Sequence, residues 1–134
     1  MCKYYLQITV ALKFFFMGDL FIREKFSVAI PPIEKGVDKA AEYLTEKIYD
    51  CINGELLRHN VADVEDLRLE IKFINWFKCI GRYEIQLVDK FEVCSPDSSI
   101  FIEKMKYKMV EIERRSAKQL ATISRNMYGD IYGG

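Results

Sequence analysis

Three polar side chains stand where the sequence pattern asks for apolar ones. Asn75 and Asp89 fall on the oily faces of two strand-like segments in FINWFKCIGRYEIQLVDKF, residues 73–91, and Glu24 interrupts the oily face of an earlier segment. An amide and two carboxylates gathered between a sheet and a helix would line a polar pocket, an arrangement that could serve an enzyme. The competing use is structural. The Asn75 amide then donates to the Asp89 carboxylate, and each lowers the other's burial cost.

His59, the one histidine, lies near Asp63 in polar sequence and is the general-base candidate, but no nucleophile accompanies it. Cys2, Cys51, Cys79 and Cys94 lack the paired spacing of a zinc site. They read as reduced, mostly buried thiols of a cytoplasmic protein. Glycine-rich phosphate loops, H-E-x-x-H and G-x-S-x-G are missing from the sequence. The expectation is a non-enzymatic protein with no catalytic residue, no metal and no cofactor.

The elements that would position these residues follow from periodicity. A chain of 134 residues, half hydrophobic and 30% charged, reads as one globular domain that needs no disulfide or metal to fold. Residues 4–16 alternate oily and polar, Gly18-Asp19 marks a turn, and residues 20–30 return with period two until Pro31-Pro32 ends the strand. From Ile33 the spacing changes to threes and fours through Val37, Ala40, Ala41, Leu44, Ile48, Ile52 and Leu56, an amphipathic helix that Asn53-Gly54 can end or loosen. Residues 67–93 alternate again as two strands around Gly81. Ser95 or Asp97 offers a cap, and residues 97–126 recur at helical spacing. Residues 99–112 can also be read as a fifth strand.

The fold expected is α+β: an antiparallel sheet of four or five strands, order β-β-α-β-β-α, ending in a long helix. Sheet and first helix occupy residues 1–95, the long helix 96–128 and a flexible tail 129–134. In the second hairpin odd residues must face odd, because a slip by one turns the oily set to solvent. The favoured register sets Asn75 opposite Asp89, Phe73 opposite Phe91, Phe77 opposite Leu87 and Lys72 opposite Glu92, avoiding like charges across the strands.

Partner surfaces are the remaining signal. FFFMGDLF, residues 14–21, is oily on both faces, so Phe15, Met17 and Phe21 are candidates for a protein contact, together with Trp76 on the outer face. A helix of thirty residues spans ~45 Å and outruns a strand of ~36 Å. Met109, Ile112, Leu120 and Ile123 are therefore the expected seam of a homodimer or higher oligomer. Arg114, Arg115, Lys118 and Arg125 on its polar side are the phosphate-binding candidates for a nucleotide or nucleic acid. Equal counts of 20 basic and 20 acidic side chains argue against wholesale nucleic-acid coating. No apolar run is long enough for a membrane helix. The reading is a small cytoplasmic accessory or inhibitor protein that binds itself and a protein partner. The alternatives are nucleotide or nucleic-acid binding, and an enzyme with the polar pocket.

Overall fold

Alternation along residues 6–16 places Ile8, Val10, Leu12 and Phe14 on one face, and all four are buried. A computed structural model describes residues 6–16, 19–30 and 36–132. The chain is α+β. Strands β1 (Leu6–Phe16) and β2 (Asp19–Ile30) precede helix α1 (Val37–Arg58). Strands β3 (Asp66–Asn75) and β4 (Lys78–Val88) follow, then helix α2 (Ser99–Tyr132). Among the described residues the sheet has four strands in the order β2-β1-β3-β4, each antiparallel to its neighbour. Segment 99–112, open to a strand reading, is helical.

Pairing of β1 with β3 sets Ile8 opposite Phe73, Val10 opposite Ile71, Leu12 opposite Leu69 and Phe14 opposite Leu67. The oily faces of both central strands thus form one surface, and both helices contribute to the core against it. From α1 come Ala40, Ala41, Leu44, Ile48, Ile52 and Leu56. From α2 come Phe101, Met105, Met109, Ile112, Leu120 and Ile123. Ile33 lies outside the described residues.

The helix ends are fixed by specific bonds. Asn53-Gly54 does not stop α1. The chain leaves it at Asn60, whose φ is 51°. There the N–H of Asn60 reaches the Leu57 carbonyl and the N–H of Val61 reaches the Leu56 carbonyl, both at 3.2 Å. This paired closure uses a left-handed residue that asparagine tolerates. Helix α2 is capped by Ser98, not by Ser95 or Asp97: its Oγ accepts from the Phe101 N–H at 3.1 Å. The helix then continues to Tyr132, through most of the segment expected to be a flexible tail.

Contacts show that α2 runs antiparallel to β4. The Tyr83 hydroxyl bonds the Ser116 hydroxyl and the Ile112 carbonyl. The Arg115 guanidinium donates to the Glu84 carbonyl at 2.7 Å. Farther on, Gln119 and Ile123 cover Gly81.

Candidate protein-interaction site

The second hairpin turns at Trp76 and Phe77, not at Gly81. Leu69 faces Ile85, Ile71 faces Tyr83 and Phe73 faces Gly81; past a shift between Phe73 and Ile74, Asn75 faces Lys78. Only Trp76 and Phe77 remain in the loop, with φ of 51° and 63°. A two-residue hairpin loop of type I′ needs positive φ at both positions, because that twist matches the strands, and Asn-Gly normally supplies it. Two bulky aromatics in this conformation cost about 1–2 kcal/mol each. They recover nothing by burial, since Trp76 is 84% and Phe77 102% exposed.

Charge around the tip is one-sided. Residues 71–83 carry Lys72, Lys78 and Arg82 and no acidic side chain. Lys72 is paired to Glu70 at 3.2 Å. Lys78 and Arg82 form no ion pair among the described residues. Below the tip the rows oppose like to like, Lys72 to Arg82 and Glu70 to Glu84, the arrangement that the sequence expectation avoided. Neighbouring groups offset the repulsion. Burial pushes the Glu70 carboxyl up, but the hydrogen bond and charge of Lys72 and the charge of Lys13 leave it below its ordinary value.

Gly81 has a different task from the one its sequence suggests. It faces the Phe73 ring on an edge strand, and a Cβ there would lie 2.8 Å from Gln119 Oε1, 3.5 Å from the Ile123 methyl and 3.6 Å from the Phe73 ring. Its φ is not left-handed, so size alone decides what fits. Gly81→Ala should shift the flexible Gln119 and change stability by less than about 1 kcal/mol, whereas Gly81→Leu should cost about 1–3 kcal/mol by overpacking. Urea denaturation of both variants checks the difference.

Tyr83 ties the hairpin to α2. Burial of the phenol raises its pKa to about 12 from an ordinary 10, against the opposing Ser116 hydrogen bond and Arg115 charge. The fold favours the neutral phenol, so this stabilisation is complete below pH 10 and lost as pH rises through about 12. Relative to Tyr83→Phe, the wild type should lose about 2–3 kcal/mol over that interval in pH-dependent denaturation.

The polar pocket does not form. Asn75 sits beside the tip, while Asp89 follows the far end of β4 and accepts the Phe91 N–H at 3.2 Å. The pairing of Asn75 with Asp89 failed because a turn at Trp76 and Phe77 moves β4 by ten positions, while odd residues still face odd from Leu69 to Phe73. Glu24 is on the edge strand β2, opposite Leu12. It lies 3.2 Å from Arg58 and 3.5 Å from His59 Nε2. Glu24, Glu55 and His59 make a group whose ligand atoms lie within 4.8 Å of one another, the geometry of a cation site. The Arg58 guanidinium already bonds both carboxylates and takes up their charge. Asp63 is exposed on the loop, and the described contacts of His59 Nε2 are the carboxylates of Glu24 and Glu55.

The other predicted residues are distributed as follows. Met109, Ile112, Leu120 and Ile123, expected as an oligomer seam, are buried in the chain's own core. The helix is longer than the sheet, but this stripe is used up against it. Phe15 is half-buried, with the Arg68 guanidinium 5.1 Å above its ring. Met17 and the side chain of Phe21 lie outside the described residues. Arg115 is bound to Glu84, leaving Arg114, Lys118 and Arg125 as exposed cations without ion pairs among the described residues. Cys79 is exposed, contrary to the buried thiol expected. Cys51 and Cys94 are half-buried thiols, and burial leads their neighbours' charges in pushing them up. No helix among the described residues is long and apolar enough to cross a membrane.

Phe77 is the functional candidate that sequence reasoning missed, having been counted as a core residue facing Leu87. Period two continues through Phe73, Phe77 and Cys79, so nothing in the pattern marks the reversal. The chain matches no family model, no curated protein and no solved structure.

Proposed function

We propose that this is a small non-enzymatic interaction protein that binds a protein partner by inserting the Trp76 and Phe77 tip into it. One observation carries the reading: two adjacent aromatics occupy a strained turn in which neither is covered by its own chain. Strain opposes the folded monomer, and exposure leaves the apolar surface of both rings available for burial in a partner. Affinity capture from cell extract with the wild type, compared with Trp76→Ser plus Phe77→Ser, tests it. Loss of specific partners from the variant is expected; an unchanged set sinks the reading.

A second reading has its own support. Tyr107, Arg114, Lys118 and Arg125 are all exposed, and their spacing of seven, four and seven residues aligns them along one ridge of α2. Arginine suits phosphate and tyrosine can stack on a base. Salt-sensitive binding to single-stranded nucleic acid, lost on Arg114→Ala with Lys118→Ala, is the result this reading requires.

A further inference from the structure

At the end of β4 remote from the tip, a groove of about 570 Å³ opens between the strand and the first turns of α2. Leu87, Ile100 and Tyr107 supply apolar lining, with Asp89, Glu92 and Glu103 around them. Ile100 is 60% and Tyr107 77% exposed. Lys104 and Lys108 also line it, but Lys104 is committed to Glu92 at 2.7 Å and Lys108 to Glu111 at 3.5 Å. Nearby Lys90 turns toward the Phe91 ring. Asp89 and Glu103 keep unpaired negative charge among the described residues.

Tip and groove are complements. One is a convex pair of aromatics flanked by the free cations Lys78 and Arg82. The other is a concave site with apolar lining and free carboxylates, and its volume lies in the range of ~300–1,000 Å³ that encloses small ligands. Nine residues of β4 separate them, about 30 Å of strand, so a chain cannot fill its own groove. We propose that the Trp76 and Phe77 tip of one copy enters the Leu87, Ile100 and Tyr107 groove of a second copy. This rests on the tip being the contact element. It relocates self-association from the α2 stripe to the two ends of the second hairpin. The contact is head-to-tail, so it propagates as an open string unless the rotation between copies closes a ring.

Two variants and one fluorophore decide it. Trp76 is the sole tryptophan. The knob variant, Trp76→Asn with Phe77→Gly, has an intact groove and no tryptophan. The groove variant, Glu103→Lys with Tyr107→Ser, keeps the tip and changes only exposed positions; Glu103→Lys alone serves if circular dichroism shows the pair misfolded. Wild-type mass by light scattering should rise with concentration, with a blue shift of Trp76 emission over the same range. Each variant alone should be monomeric. Titrating the knob variant into the groove variant should shift the emission blue and stop at a one-to-one dimer, since each copy then has a single working end. A wild type that stays monomeric at about 1 mM, association that survives in the knob variant, or a silent titration overturns the proposal. If the wild type is monomeric while capture still depends on Trp76, the tip binds a different protein and only the self-docking inference falls.

Discussion

Replacing Trp76 and Phe77 by Asn and Gly should make the protein more stable and abolish its binding. The turn demands left-handed backbone at both positions. Glycine adopts it without steric cost and asparagine at little cost. Relief of strain should raise stability by about 1–3 kcal/mol, read as a higher urea midpoint with an unchanged slope. Ile71 to Phe73 and Gly81 to Tyr83 stay paired, so the hairpin persists. Partner capture should fall to background. A variant that is less stable than wild type would mean that the aromatics pack on something in the folded chain, and the contact reading would lose its physical basis.

The largest loss of stability is expected at Phe73. Its ring is fully buried, lies across from Gly81 and stands 6.2 Å from the Tyr83 ring. A glycine on an edge strand leaves a bare patch of backbone, and a cross-strand aromatic covers it. Phe73→Ala removes that cover as well as the ring's own burial, and Gly81 has no side chain to collapse into the space. The cost should reach about 3–5 kcal/mol, measured by chemical denaturation. Ile74→Ala, one position along and half-buried, should cost clearly less. Near-equal effects would show that the hairpin register differs from the one described.

Faces were legible in the sequence and register was not, for a physical reason. Alternation in β1 and β3 identifies the buried set, and three-four spacing identifies the α1 and α2 stripes, because burial acts on every residue of a periodic element. Burial constrains only the parity of pairing in the second hairpin, so registers ten positions apart satisfy it equally. Turn chemistry should choose among them. Here it misleads, since Gly81 is small to admit Gln119 and Ile123, while Trp and Phe occupy the turn that Asn and Gly normally fill. The candidate site is hidden in the same place. Trp76 could be singled out as an outer-face residue, but Phe77 shares the parity of the core. The α2 stripe failed as a seam because helix length shows overhang without showing where along the helix it begins.

Arg115 on the Glu84 carbonyl has a consequence for how the molecule avoids sticking to itself indiscriminately. Strand β4 ends the sheet, with one margin unpaired by another strand among the described residues, and its Glu84 carbonyl accepts from a side chain of α2. Such an unpaired margin is a template for any extended chain, the usual beginning of runaway sheet growth. The guanidinium occupies that acceptor in the middle of the strand, and backbone addition is blocked there. If the tip and the groove are the contact elements proposed above, side chains at the two ends of this margin, and not generic main-chain pairing, decide what attaches.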